Sequence, residues 1–310
     1  MRVFVAGATG VIGRRLVPIL REHGHEVTGM VRSPERADAV RALGAEPAVA
    51  DALDAQAVRD AVGEARAEAV IHELTSLPRR IDPRKIERDF ALNDRLRSEG
   101  THNLVQAAQA AGAERIVAQS IAFAYAPGPP GSVHVESDPL YLHAPKAFAR
   151  SAAAVHELER TVLGAHGVVL RYGYFYGPGS SISREGSMGQ DISRRRLPIV
   201  GSGGGVWSFV QIDDAARATV AALGNGASGA YNVVDDEPAP VSEWLPALAQ
   251  ALGAPRPRRV PVWLARPLAG SYGVTTMTRA QGASNALAKR ELRWQPEHPS
   301  WREGFRTALG

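Results

Sequence analysis

Apolar positions along this chain follow two rhythms, and the rhythms alternate. Short continuous apolar runs at 3–6, 26–31, 47–50, 69–72, 115–118 and 168–170 read as strands covered on both faces. Between them apolar residues recur at helical spacing, over 14–23, 34–43, 55–65 and the alanine-rich 144–163. A further long helix carries Leu92, Leu96, Leu104, Val105 and Ala108 and stops at the C-terminal glycine signal Gly112. Beyond Gly173 the order loosens: 177–205 is glycine-rich, and strands at 208–212 and 230–234 flank a helix at 213–223. From Pro240 the pattern predicts three helical segments, separated by Pro255, Pro257, Pro261, Pro296 and Pro299.

Repeated strand-helix alternation predicts an α/β fold with a doubly wound parallel sheet and a smaller C-terminal lid beside it. The ligand crevice of such a sheet lies outside the carboxyl ends of its strands. Residues 7–13, 31–33, Asp51, 73–76 and 120–125 all fall there.

The first strand runs into Gly7-Ala-Thr-Gly10-Val-Ile-Gly13, three glycines spaced three apart between a strand and a helix. Gly7 permits a sharp turn, Gly10 removes a Cβ where a pyrophosphate must approach, and Gly13 lets the helix lie close on the sheet. Free N–H groups at the helix start would face that anion. The plain alternative is a tight turn with no ligand. With the ligand, the sheet is of Rossmann type: 1–172 and 206–238 form a dinucleotide-binding domain, and 173–205 with 239–310 a substrate-binding lid.

Composition narrows the classes. With 310 residues, 45% hydrophobic and 22% charged, the chain has an ordinary globular make-up. Zero cysteines exclude disulfides and Cys-ligated metals, fit a reducing cytoplasm, and leave no metal expected. No signal-peptide pattern precedes the first strand, and no apolar run approaches the roughly 18 residues of a membrane span. A soluble cytoplasmic protein with no membrane partner is expected. The formal charge is only +4 and the basic residues are scattered, so no nucleic-acid partner is indicated. Arg194, Arg195 and Arg196 read as a solvated helix end or a clamp for a small anion.

Several motifs, in order, resemble the extended short-chain dehydrogenase/reductase superfamily, also described as the NAD-dependent epimerase/dehydratase family. They are GATGVIG at 7–13, VIH at 70–72, EGTHNLVQAA at 99–108, LRYGYFYGPG at 170–179, SFVQIDDAA at 208–216, YNVVDDEP at 231–238 and AKRELRWQP at 288–296. The resemblance implies a nicotinamide dinucleotide held by Gly7, Thr9, Gly10, Val11, Ile12 and Gly13. Asp51 and Ala52 would lie toward the adenine, Leu74 and Thr75 beneath the cofactor, and Tyr172 where the chain passes the nicotinamide. An acidic residue at the end of the second strand would select NAD. Arg32 and Ser33 stand there instead and suit a 2′-phosphate, which favours NADP(H) over NAD(H); a solvent-exposed loop arginine is the alternative. The family also implies a homodimer through two sheet-flanking helices, with Arg97 and His156 near that surface.

The catalytic positions depart from the family. Its working members use a Ser or Thr at the end of the fifth strand and a Tyr-x-x-x-Lys on the next helix, where a phenol moves a proton and an ammonium lowers its pKa. No tyrosine here lies four residues before a lysine. Matching Glu157 or Glu159 to the family's glutamate places Ala149 and Ala153, or Ser151 and Val155, in the pair. Ile121 takes the hydroxyl position with Ser120 one residue earlier, and Arg97 takes the place of an asparagine. Candidate substitutes are Ser120, Tyr141 and Lys146, with His143 in the same loop; Pro145 keeps Tyr141 and Lys146 off one continuous helical face.

Trp207 stands where sugar-nucleotide enzymes of the family often hold an arginine. With Tyr174 and Tyr176 it suggests a flat, fairly apolar substrate. Three readings stay open: an NADP(H)-dependent reductase of a ketone or enone with a substitute proton donor, a non-catalytic NADP(H)-binding redox sensor, and a nucleotide-sugar epimerase or dehydratase.

Overall fold

Apolar runs that must bury both faces can do so only in the middle of a layered sheet, and seven of them do. In the computed structural model, which describes residues 1–78, 80, 85–129 and 131–309, one parallel sheet holds Arg2–Ala6, Glu26–Val31, Glu46–Val49, Ala69–His72, Arg115–Ile121, Val168–Tyr172 and Gly229–Val233. Across the sheet their order is seventh, sixth, fifth, fourth, first, second, third. The register levels the strand ends: Ala6 lies opposite Met30 and His72, and His72 opposite Ala118. The doubly wound parallel sheet expected from the alternation is therefore present.

Helices cover both faces. Leu16, Val17 and Leu20 of Gly13–Glu22, with Ala215, Ala218 and Ala222 of Ile212–Gly224, pack on Val3, Val5, Ile71 and Val117. On the other face Val58, Ala61, Leu104, Ala108, Leu158 and Val162, from Ala55–Glu64, Thr101–Ala110 and Lys146–Gly164, pack on Phe4, Val70 and Ala118. The long helix expected before Gly112 is broken into Ile86–Asp89, Ala91–Arg95, a π-helical turn Leu96–Gly100, and Thr101–Ala110. Single-turn π segments recur where a function displaces regular hydrogen bonding.

The lid has its own core, in which Tyr176, Trp207, Phe209, Trp244, Leu248, Trp301 and Phe305 are buried together. The strand expected at 208–212 is Phe209–Gln211 and pairs with Tyr174–Tyr176 outside the main sheet. More helical segments follow Pro240 than the three expected: Val241–Ala251, Val262–Arg279 with a non-helical break at Gly270, Ala286–Glu291 and Trp301–Thr307. After the short Ala286–Glu291, Leu292 and Trp294 pack with Ala288 back on the sheet-side core. Among the described residues no helix is long and apolar enough to cross a membrane.

Candidate active site

The glycines form a cradle in which Gly7 and Gly13 leave no room for a side chain. Gly7 has φ +103°, and a Cβ there would lie 2.7 Å from the Glu73 carbonyl oxygen. A Cβ on Gly13 would fall on the Gly7 carbonyl and within 2.6 Å of the Ala8 carbonyl carbon. A Cβ on Gly10 would sit 3.1 Å from Gly7 oxygen, tight but not blocked. The Gly10 N–H donates to Gly7 O at 2.9 Å and the Arg14 N–H to Gly10 O at 3.1 Å. Between them, no described residue accepts from the N–H groups of Val11 and Ile12, which open the helix Gly13–Glu22. Such a helix start suits a phosphate group.

Around the cradle stand the other strand ends. Arg32 is exposed and holds no ion pair among the described residues, while the Ser33 hydroxyl donates to Glu35. Asp51 is exposed, with Oδ1 accepting from the Leu53 N–H at 3.0 Å; Ala52 is buried and its carbonyl accepts from Asn103 Nδ2 at 2.9 Å. Leu74 is half-buried and Thr75 exposed. The turn they form is fixed by His72, whose Nδ1 accepts from the Leu74 N–H at 3.2 Å and whose Nε2 donates to Thr101 Oγ1 at 2.9 Å. Burial holds this imidazole neutral, with its pKa lowered to about 4.

Tyr172 does not belong to this rim. It is fully buried, its hydroxyl bonded to Thr219 Oγ1 at 2.6 Å and to Glu73 Oε1 at 3.2 Å. Burial pushes the Glu73 carboxyl up to about 8, so it is mostly protonated at neutral pH. A proton bound in the folded state but not in the unfolded one makes stability fall as pH rises from about 4.5 toward 8. Glu73→Gln is expected to flatten that fall in thermal melts, by on the order of a few kcal/mol across the window. Asp235, also raised by burial, adds a slope of the same sign in both proteins, so the difference isolates Glu73. An unchanged pH dependence would contradict the assignment.

At the expected catalytic centre, polar groups are absent or engaged elsewhere. Ser120 is buried and its hydroxyl donates to Glu159 Oε1 at 2.6 Å, in a sealed network with Arg171, so it does not face a ligand. Lys146 is exposed on the first turn of Lys146–Gly164, away from the cleft. On that helix Ala153 is exposed and Ser151 donates to Asp94 Oδ1 at 2.8 Å. Phe148, Ala152 and Val155, an apolar stripe at i, i+4 and i+7, pack against Ile121 and Ala124. The contact between this helix and the end of the fifth strand is therefore apolar. Arg97, expected near a dimer surface, is buried instead.

Beside this centre opens a cleft lined by Phe123, Tyr141, Tyr174, Trp207, Tyr272 and Arg279. Its wall is a stack: Phe123 on Tyr174 at 4.4 Å, and Tyr174 on Trp207 at 4.0 Å between ring centroids. Tyr141 reaches the cleft, as expected. Tyr176 does not: it is sealed in the lid core with its ring edge-on to Phe305. Sequence reading missed Phe148 and Tyr272; it set Glu73 at the crevice without a role, and Arg97 at the position of the family's asparagine.

Residues 3–234 match the NAD dependent epimerase/dehydratase family. The chain belongs to that family. Within it, a 3-diazoavenalumate denitrifying reductase from a Streptomyces species is 50% identical over 98% of this chain and 99% of its own length. A 4-hydroxy-2-methyl-3-oxo-4-farnesyl-3,4-dihydroquinoline-1-oxide ketoreductase from Stigmatella aurantiaca is 28% identical over 82% of this chain and 74% of its own. Among solved structures, the Thermus thermophilus UDP-glucose 4-epimerase complex with NAD is 25% identical, with a TM-score of 0.75 covering 100% of this chain and 98% of the other. Together with the cradle, these relatives make the chain an oxidoreductase-like member of the epimerase/dehydratase family with a nicotinamide dinucleotide site.

Proposed function

We propose that this chain is an NADP(H)-dependent reductase acting on a planar, conjugated arenediazonium. The apolar centre carries the reading. A ketone must receive a proton as hydride arrives, and Ile121, Phe148 and Ala152 have none to give. An arenediazonium carbon needs none: a bound dihydronicotinamide would supply the hydride of the new C–H bond, and the C–N bonding pair would leave with dinitrogen. The relative named for denitrifying a diazo carboxylate supports this class, and the stacked wall of Phe123, Tyr174 and Trp207 supports a flat substrate. Gly7, Thr9, Gly10, Val11, Ile12 and Gly13 would hold the pyrophosphate, Asp51 and Ala52 the adenosine end, and Leu74 and Thr75 the chain beneath the nicotinamide. Arg279, exposed at the cleft and free of ion pairs among the described residues, would meet a substrate carboxylate.

Arg32 and Ser33 would take the 2′-phosphate. Arg32→Ala is expected to weaken NADPH by about 10- to 100-fold, the worth of a charge-assisted hydrogen bond, and to leave NADH unchanged in calorimetry. Equal losses for both would contradict the NADP(H) preference.

Ketone or enone reduction is the second reading, favoured by Tyr141 at the cleft and by the ketoreductase relative. NADPH consumption with two acceptors of one shape, an arenediazonium and the matching aryl ketone, decides between them. Consumption with the diazo compound alone is expected. Consumption with the ketone alone, lost in Tyr141→Phe, would establish the second reading; tight NADPH binding with neither consumed would establish a redox sensor.

A further inference from the structure

The lid brings a phenol to the cleft. Tyr272, on the lid helix Val262–Arg279, lies face to face on Phe148 with ring centroids 4.2 Å apart and planes 15° from parallel. The lid thus sets a phenol against the Phe148 ring, and Tyr272 also lines the cleft beside Tyr141 and Tyr174.

Arg97 acts on that phenol from the sheet side. It lies on the π-helical turn Leu96–Gly100, which packs against the helix Lys146–Gly164, and is 6% exposed. No described carboxylate comes within 4.0 Å of its guanidinium, and no described residue hydrogen-bonds to it. Asp94, one turn away, is already engaged: Oδ1 accepts from Ser151 and Oδ2 lies 3.6 Å from Arg150 Nε. The Arg97 backbone is held, since its carbonyl accepts from Thr101 Oγ1 at 2.6 Å and Thr101 in turn receives His72. A buried cation with no counter-ion is destabilising, and an arriving anion offsets that.

We infer that Tyr272 and Arg97 form a receptor for an anionic oxygen on the substrate, conjugated to the carbon that takes the hydride. Tyr272 donates the hydrogen bond; Arg97 is a positioning residue that supplies positive potential through it. The link to a hydride acceptor rests on the reductase reading above. Burial pushes the Tyr272 phenol up to about 12, against opposing pulls from Thr276 and Arg97, so it stays a donor across the neutral range. Burial lowers Arg97 to about 10, which leaves it charged there. The other groups acting on this pair are Asp94, the neutral His72 and Tyr141.

The probe is 4-nitrophenol, whose absorbance reports its own ionisation, titrated into the full chain below the probe's pKa. Wild type is expected to bind it as the phenolate. Tyr272→Phe should weaken that binding about tenfold with an unchanged melting temperature. Arg97→Met should abolish the preference for the ionised form while the melting temperature holds or rises, and Arg97→Lys should restore most of the preference. Binding of the neutral form only, no binding, or phenolate binding unchanged in both variants would overturn the receptor. So would an Arg97→Met protein that melts lower yet ionises the probe as wild type does. Failure of diazo turnover with the probe result intact would remove the reductase reading alone; normal turnover with probe binding unchanged in the variants would remove the receptor alone.

Discussion

Gly13→Ala is expected to abolish dinucleotide binding, raising the NADPH dissociation constant at least about 100-fold, and to lower stability in the same variant. Both effects follow from the added methyl group, which would fall on the Gly7 carbonyl and within 2.6 Å of the Ala8 carbonyl carbon. Neither neighbour is the end of a flexible side chain, so the helix Gly13–Glu22 must move off the loop. Overpacking of this kind costs about 1–3 kcal/mol, and displacing the Val11 and Ile12 N–H groups removes roughly 3 kcal/mol of phosphate contacts. Gly10→Ala is the control. Its methyl would sit 3.1 Å from the Gly7 oxygen, a contact that small adjustments relieve. That variant should keep its melting temperature and lose affinity only, because its methyl occupies the face the pyrophosphate needs. Calorimetry and thermal melts on the two proteins check both claims. Gly13→Ala binding NADPH as wild type does would show that the cradle is only a turn.

The largest loss of stability is expected from Glu159→Ala. Glu159 and Arg171 are 4% and 6% exposed at their side chains and joined by Arg171 Nη2 to Glu159 Oε2 at 2.6 Å and by Nε to Oε1 at 3.0 Å. Ser120 gives its hydroxyl to the same carboxylate. The guanidinium reaches on to the Tyr125 hydroxyl at 2.8 Å and the Glu136 carbonyl at 3.0 Å. Tyr125 in turn donates to Asn232 Oδ1 at 2.6 Å. The network ties the fifth, sixth and seventh strands to the helix Lys146–Gly164 and to the loop over the cleft. Burial opposes the Arg171 charge, but Glu159 and Tyr125 together hold it well above the usual arginine range. Removing the carboxylate leaves a buried, unpaired cation and costs about 3–5 kcal/mol, a fall in melting temperature of roughly 10 °C. Ser120→Ala removes one hydrogen bond from an otherwise intact network and should cost only about 1 kcal/mol. Turnover should survive it.

These residues mark where sequence reading stops. The sheet was legible because each strand is a short apolar run ended by glycine or a polar turn, so its position needed only local information. The cradle was legible for the same reason: Gly7, Gly10 and Gly13 act within one loop. Ser120 misled because its partner Glu159 is 39 residues away, and nothing local shows that the hydroxyl is taken. Tyr172, Tyr174 and Tyr176 would share one face of a continuous strand. Gly173 ends the sheet strand there, Tyr174–Tyr176 pairs with Phe209–Gln211, and only Tyr174 meets the cleft. The register on the long helix was set by matching acidic residues, whereas packing obeys the apolar stripe Phe148, Ala152, Val155. Tyr272 was out of reach because its place depends on how the lid closes over the sheet.

The central claim is that hydride reaches a carbon that takes no proton from the protein. A single turnover with NADPH dideuterated at C4 and an arenediazonium tests it most directly, reading both label position and gas released. The account predicts one dinitrogen per NADPH oxidised, with one deuterium on the carbon that lost nitrogen. Product free of deuterium, or NADPH consumed without dinitrogen, would contradict it.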